Sequence, residues 1–155
     1  MVYFSNLYPV SSNLSYNQMK ALGISLEGST AIFSGLEKTE SGIFDISDKL
    51  KKIQLKDHLD SKEVQSLNET IHFFLERNDF DEIAIIKRGT KGTFAASPIS
   101  FKIEGLIQMY KSKDVEFIAP ATLRAFYKKN ENTFNPKYAY QKASNDLAFY
   151  LLKRE

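Results

Sequence analysis

The order of apolar runs along the chain is the feature that most restricts its possible folds. Three strand-like runs come first and lie too close together for helical crossovers, which predicts an antiparallel meander of residues 20–27, 29–36 and 43–46, the last extended by 52–55. A helix, a strand, a helix, a strand and further helices follow. This order predicts an α/β domain whose five-stranded mixed sheet, three antiparallel strands and two parallel ones, is flanked by helices.

Capping residues indicate where the first two long helices begin. Asp60 is the predicted N-cap of the first helix, and Glu63 lies three residues later, at the capping-box position. Apolar residues then recur at helical spacing as far as Asn78. Ser97 followed by Pro98 is typical of a helix start and predicts the second helix.

The remaining elements follow from short apolar runs. Residues 82–86 (EIAII) predict a central strand covered on both faces, and residues 115–118 (VEFI) predict the fifth strand. Short helical patterns follow, and the longest, at residues 136–152, has Asn135 as its predicted N-cap. We expect one domain at residues 19–155, preceded by an N-terminal arm at residues 1–18.

Composition excludes several kinds of protein. Cys is absent, which excludes disulfides and Cys-based zinc sites and suits a reducing cytoplasm. No stretch approaches the ~20 apolar residues of a membrane span, and residues 1–16 do not have the pattern of a secretory signal peptide. We therefore expect a soluble, cytoplasmic protein with no membrane partner.

Charge is distributed unevenly along the chain. Residues 1–86 hold 8 Lys or Arg and 13 Asp or Glu, whereas residues 87–155 hold 13 and 6, so the two parts have formal charges of −5 and +7. Such asymmetry is found in proteins that present a basic face to nucleic acid or another polyanion. In a folded domain the two fields also partly cancel.

A basic loop follows the predicted central strand. Lys87, Arg88 and Lys91 are interspersed with glycines in the sequence KRGTKGT. Ligands of α/β sheets usually bind at the carboxyl ends of strands, where backbone N–H groups and cations bind phosphate. We predict Lys87, Arg88, Lys91 and Lys102, on the next helix, as phosphate-binding residues. Two interpretations of Glu104 are open: it pairs with Arg88, with Lys87 or with a bound group, or it is simply exposed together with Lys102, and we favour the second.

A second basic stretch lies near the C-terminus. It interleaves cations with aromatic rings, a combination that binds single-stranded nucleic acid by charge neutralisation and base stacking: Lys128, Lys129, Lys137 and Lys142, with Tyr127, Tyr138 and Tyr140. The alternative is that these rings belong to the hydrophobic core.

Over residues 20–154 the chain resembles the ribonuclease H-like superfamily. Within it the chain is similar to bacterial Holliday-junction resolvases and to an uncharacterised bacterial family of unknown function. The likeness to the latter is strongest at residues 83–108, IAIIKRGTKGTFAASPISFKIEGLIQ. It implies a ribonuclease H-like fold and contact with DNA or RNA.

The resemblance also implies where a nuclease site would lie. Active members hold two Mg²⁺ or Mn²⁺ ions about 3.5–4 Å apart on carboxylates from the first strand, the end of the fourth strand and the last helix. Resolvases carry Asp after a Gly-Ile pair, but here Ser25 follows that pair, and Glu27 is the nearest acid. Ile86 or Lys87 stands at the second position. Asp146 matches the third.

Three functions are consistent with this pattern. The leading hypothesis is a degenerate ribonuclease H-like protein that binds nucleic acid or another phosphate-bearing partner without cleaving it and without a cofactor. The second is a metal-dependent nuclease with a rearranged catalytic site of Glu27, Glu104 and Asp146, which alone requires Mg²⁺ or Mn²⁺. The third is a protein–protein interaction module, as a homodimer or with another partner.

Overall fold

The computed structural model describes residues 18–89 and 97–154. Its strands are β1 (Met19–Glu27), β2 (Thr30–Thr39), β3 (Gly42–Asp45), β4 (Lys52–Gln54), β5 (Glu82–Ile86) and β6 (Val115–Ile118). Its helices are α1 (Ser61–Asn78), α2 (Pro98–Gln108), α3 (Pro120–Tyr127) and α4 (Lys142–Lys153), the last preceded by a 3₁₀ turn at Ala139–Gln141. None of these helices combines the length and apolar character needed to span a membrane. The predicted arm lies outside the described residues, except for residue 18.

The strands form one mixed sheet in the order β3-β2-β1-β5-β6. β1 pairs antiparallel with β2 and parallel with β5, and β5 pairs parallel with β6, so the predicted meander and parallel pair are confirmed. The predicted third strand is two strands, β3 and β4, which pair with opposite ends of β2. The chain bends between them because the Ser47 hydroxyl accepts a hydrogen bond from Gly35 N, and Asp48 adopts a positive φ of 57°.

Helices cover both faces of the sheet. Successive side chains of a strand point to opposite faces. Leu22 and Ile24 of β1 belong to a core cluster with α1 and α2, whereas Ala21 of β1 and Ala84 of β5 belong to a second cluster with α4. Residues of α2 and of α4 are therefore separated by the sheet.

The predicted start of α1 is confirmed, and its detail differs. The Asp60 carboxylate accepts a hydrogen bond from Lys62 N at 3.0 Å. Glu63 does not close a capping box with Asp60; its carboxylate instead accepts hydrogen bonds from Lys56 N and Asp57 N, at 2.6 and 2.9 Å. Glu63 thus fixes the loop that connects β4 to α1.

The last helix begins later than predicted. α4 starts at Lys142, and Asn135 is not its cap. Residues 130–138 form an irregular segment, since Asn145 Nδ2 donates a hydrogen bond to Phe134 O at 2.9 Å and holds that segment against the helix. Residues 136–138, which the sequence pattern assigns to this helix, therefore belong to the irregular segment before it.

A glycine allows α4 to pack closely on the sheet. A Cβ atom on Gly23 would lie 2.1 Å from Ser144 O and 2.7 Å from Ala148 N. Two buried hydrogen bonds fix the helix there: Ser34 Oγ and Ser144 Oγ lie 2.7 Å apart, and Gln141 Nε2 donates to Phe33 O at 2.9 Å. This contact determines where Asp146 lies.

Candidate functional site

Ser25 occupies the position at which the resemblance implies the first carboxylate. Its side chain points to the α4 side of the sheet and is 5% exposed, and its Oγ has no hydrogen-bond partner among the described residues. Glu27, two residues later, is exposed at the end of β1, next to the turn at Gly28. The first strand therefore presents a buried neutral side chain here and a solvated acid beyond it.

The second implied position is also without an acid. Ile86 is the last residue of β5, and its side chain packs against the apolar cluster under α4. Lys87 is exposed, and its backbone N–H donates to Ile118 O at 2.9 Å, which continues the pairing of β5 with β6. A Lys side chain here repels cations instead of binding them.

Asp146 lies on α4, and both its carboxylate and its backbone carbonyl accept hydrogen bonds from neighbouring side chains. Its carboxylate accepts hydrogen bonds from Asn132 Nδ2 at 2.8 Å and from Lys142 Nζ at 3.0 Å. Its backbone O accepts a 2.5 Å hydrogen bond from the Tyr127 hydroxyl. Burial, and secondarily the charge of Asp146, raises the pKa of Tyr127, so this hydroxyl stays protonated as a donor.

Glu104 lies on α2, on the other side of the sheet from Asp146. Its carboxylate forms an ion pair with the Arg88 guanidinium, which also donates to Ser100 Oγ and lies 4.6 Å from the Phe101 ring centroid. The two charged side chains are only 13% and 14% exposed. Glu104 thus pairs with Arg88 and is not the exposed side chain that the sequence interpretation favours. The ion pair uses the Arg88 head group, the predicted phosphate ligand, to hold α2 against the end of β5.

The three proposed catalytic carboxylates do not converge. Within residues 18–89 and 97–154, no group of three His, Asp or Glu side chains is placed to hold a metal ion. Those ranges contain every Asp, Glu and His of the chain except Glu155. The sheet separates Glu104 from Asp146, and Lys142 already neutralises Asp146. The residues present therefore do not fit the two-metal site that the fold family implies.

The other predicted phosphate-binding residues are dispersed. Lys102 Nζ donates to His58 O at 2.8 Å and contacts His58 Nδ1 at 3.1 Å, which ties α2 to the loop before α1. Lys91 lies outside the described residues. Lys87 is thus the one member of the predicted basic loop that the described residues leave exposed to solvent.

A cavity of about 560 Å³ lies between α3 and α4, beyond the ends of β5 and β6. Its apolar wall includes Ile86, Leu123 and Tyr127, and its rim carries both charges and amides: Arg124, Asn130, Glu131, Asn132, Lys142 and Asp146. A second cavity of about 390 Å³ shares Asn132, Lys142 and Asp146 with the first and extends to Ala139. Together they make a continuous depression along α4.

Arg124 and Lys142 line this depression, and further exposed cations and two stacked rings belong to the same part of the chain. Residues 119–150 hold 5 Lys or Arg and 2 Asp or Glu. Four of the cations make no ion pair with any residue that the structure describes: Arg124, Lys128, Lys129 and Lys137. The rings of Tyr138 and Tyr140 stack at 5.4 Å with an interplanar angle of 11°, and Lys52 Nζ lies 4.6 Å from the Tyr140 centroid.

The sequence interpretation missed Arg124 and Lys52 in this region. Arg124 lies four residues before Lys128, a helical spacing that places both on one face and that was visible in the sequence. Lys52 carried no such signal, because it comes from β4 and reaches Tyr140 only through tertiary packing. The sequence pattern leaves open whether Tyr127 is a nucleic-acid contact or a core residue. In the structure it lines the cavity and also packs against the core under α4.

Solved structures with a similar fold include two of Thermus thermophilus RuvC. Thermus thermophilus RuvC superposes with a TM-score of 0.60 and 10% identity, over 86% of this chain and 96% of that one. A structure described as T. thermophilus RuvC in complex with Holliday junction substrate also gives 0.60 and 10%, over 86% and 95%. The ribonuclease H-like fold is thereby confirmed. A sequence identity of 10% gives no evidence that the two proteins share an activity.

Sequence comparison supplies the family. No curated protein matches the chain. Residues 19–151 match the family described as "Protein of unknown function (DUF3010)". Since that match covers most of the chain, this protein belongs to the DUF3010 family and has the ribonuclease H-like fold.

Proposed function

We propose that this protein binds nucleic acid without cleaving it, through the surface beside α3 and α4. We call this the α3–α4 surface and define it by its exposed cations and stacked rings: Arg124, Lys128, Lys129, Lys137, Lys142, Tyr138 and Tyr140. The observation that carries the proposal is that four of these cations make no ion pair with a described residue, and that one of them, Lys137, lies 5.4 Å from the ring centroid of Tyr138 in the aromatic stack. Cations neutralise phosphates and rings stack on bases, which together bind single strands.

The absence of cleavage follows from the carboxylates. Two-metal hydrolysis needs acids on neighbouring elements to hold both ions. Ser25 and Ile86 stand where two of these acids are implied, and the Asp146 carboxylate already accepts from Lys142 and Asn132. We infer that the α3–α4 surface binds its ligand and that no catalytic metal pair takes part.

The structural neighbours suggest which nucleic acids to test. One of them is described as bound to a Holliday junction substrate, and its fold is shared over most of both chains. Junction DNA therefore belongs among the probes, together with single-stranded and duplex DNA. The stacked tyrosines favour the single strand, because bases of a duplex are already stacked on each other.

Fluorescence anisotropy with the three labelled DNAs at 50 and 200 mM salt tests the proposal. If the protein contacts four phosphates of a duplex, its affinity should fall roughly 150-fold between these conditions, and somewhat less for a single strand. With Mg²⁺ or Mn²⁺ present, a denaturing gel should show intact DNA. No binding of any probe at the lower salt would overturn the proposal, and metal-dependent products would overturn its non-cleaving part.

Two double variants with equal charge changes locate the surface. Lys128→Glu with Lys129→Glu should weaken DNA binding at least tenfold, because both lysines border α3 and are exposed. Lys111→Glu with Lys113→Glu alters two equally exposed lysines between α2 and β6, and affinity should change less than twofold. Equal losses in the two variants would mean that net charge alone, and no particular surface, attracts DNA.

A contact with a second copy or another protein is the second candidate. Phe73 of α1 is 67% exposed, beside a small cavity that Leu50, Thr70 and Arg77 line. An exposed ring of this size is a common component of protein interfaces. Sedimentation velocity over a hundredfold concentration range tests self-association, and a dimer that Phe73→Glu dissociates would support it.

A further inference from the structure

We propose that the cavity between α3 and α4 receives one unstacked nucleotide of the bound strand, its base inside and its phosphate at the rim. This inference rests on the proposed function and specifies how that surface would hold its ligand. It assigns a binding role to a cavity that the sequence pattern did not predict.

The cavity has the size and position of a small-molecule site. Its volume of about 560 Å³ lies within the usual range of ligand pockets. Ile86 ends β5 and Pro120 follows β6, so the cavity opens beyond the carboxyl ends of two parallel strands. Ligands of open α/β sheets bind at this edge.

The wall of the cavity suits the flat, apolar faces of a nucleobase. Ile86, Leu123 and Tyr127 supply apolar surface, and the Tyr127 hydroxyl is already satisfied by its hydrogen bond to Asp146 O. When a nucleobase enters the cavity, contacts between its faces and these side chains replace the stacking on neighbouring bases that it loses in the strand.

The rim suits the polar parts of a nucleotide. Arg124 lines the cavity and makes no ion pair with a described residue, so it is the available partner for a phosphate. Asn130 Nδ2 donates to Phe126 O, which orients the amide and leaves its Oδ1 as an acceptor for a base edge. Lys142 and Asn132 both contact the Asp146 carboxylate and reduce its repulsion of a phosphate.

The neighbouring depression suits the rest of the strand. The second cavity continues from Asn132, Lys142 and Asp146 to Ala139, next to the Tyr138–Tyr140 stack. A strand whose bases stack on the tyrosines can therefore follow α4 and place one further nucleotide in the larger cavity. The Lys137 ammonium, 5.4 Å from the Tyr138 ring centroid, lies near the tyrosine end of this path.

A pair of matched substitutions tests this role. Ala143 lines the cavity from α4, and Ala125 of α3 is equally exposed and does not line it. Ala143→Phe should fill the cavity and lower affinity for a single-stranded oligonucleotide about tenfold, the cost of losing one stacked base. Ala125→Phe should leave affinity within twofold and the salt dependence unchanged, whereas Ala143→Phe should also lower the salt dependence, because the displaced nucleotide no longer places its phosphate at Arg124.

The outcomes separate this inference from the proposed function. If the wild type binds DNA and Ala143→Phe binds equally well, the cavity assignment is wrong and the proposed function stands. If the wild type binds no nucleic acid, both are wrong. Amide chemical shifts of the wild type on oligonucleotide addition give a second test that needs no variant: shifts at Leu123 and Ala143 are expected, and their absence while Tyr138 shifts would overturn the cavity assignment.

Discussion

Gly23 is the residue on which the contact between sheet and helix depends. A methyl group there would overlap the backbone of α4 at Ser144 and Ala148, which cannot move without displacing the helix. We expect Gly23→Ala to lower the free energy of unfolding by at least about 3 kcal/mol, the upper range of overpacking effects. Urea denaturation followed by circular dichroism measures this.

Gly105 provides the matched control. It lies exposed inside α2, and an added Cβ would meet no atom within 4 Å. Gly105→Ala should raise the free energy of unfolding by roughly 0.5–1 kcal/mol, because Ala has the higher helix propensity. Equal effects of the two substitutions would contradict the close approach of α4 to Gly23.

The Arg88–Glu104 ion pair is the second feature at this scale. Removing the cation by Arg88→Met leaves a largely buried carboxylate without a partner, which should cost about 3 kcal/mol. Arg88→Met with Glu104→Leu removes both charges and should recover most of that loss. If Arg88→Met alone were as stable as the wild type in urea, the ion pair would contribute nothing to the free energy of unfolding.

This pair also changes how binding experiments on the basic loop are designed. A charge reversal at Arg88 would weaken binding by damaging the fold, whatever the loop does. Lys87→Glu is the informative substitution, since Lys87 is exposed and only its backbone is used in the sheet.

At the scale of elements, Arg154 connects the end of α4 to the parallel strands. Its guanidinium donates to both carboxylate oxygens of Glu116 on β6, at 2.8 and 2.7 Å, and lies 3.2 Å from Glu82 on β5. The hydrogen bonds from Arg154 lower the pKa of Glu116. A lowered folded-state pKa means that this stabilisation is present above the ordinary value of 4.5 and is lost as pH falls through the lower one.

We therefore expect Glu116→Gln to be pH-dependent in its effect. At neutral pH it should lower the free energy of unfolding by less than about 1 kcal/mol, because the carboxylate is half-exposed and screened. The difference from wild type should disappear in acid. Glu131→Gln, at a carboxylate without an ion pair in the described ranges, should have no such pH dependence when both are unfolded in urea from pH 3 to 7.

The elements also separate what was predictable from what was not. The starts of α1 and α2 were predictable because Asp60 and Ser97 cap backbone groups only two or three residues away. The start of α4 was not predictable, because side-chain hydrogen bonds between α4 and residues 130–138 hold that segment in an irregular path: Asn132 donates to Asp146, and Asn145 donates to Phe134 O. The spacing of apolar residues does not show that side-chain hydrogen bonds will hold a segment out of the helix.

At the scale of the whole molecule, the distribution of carboxylates makes a prediction about metals. A binding site filled at a hundred times its Kd would raise the free energy of unfolding by about 2.7 kcal/mol. Since no three acids converge in the described ranges, we expect Mg²⁺ or Mn²⁺ to leave Tm unchanged relative to EDTA. Differential scanning fluorimetry measures this, and a saturable rise in Tm would reveal a metal site.

The sequence by itself determined the order of elements, the mixed sheet and the lack of acids at two family positions. These are properties of local periodicity, capping and residue identity, which neighbouring residues fix. Only the tertiary structure decided that Arg88 forms an ion pair with Glu104, that the sheet separates Glu104 from Asp146, and that an open cavity lies between α3 and α4. Such features depend on how side chains distant along the chain pack together, and packing is set by the whole fold.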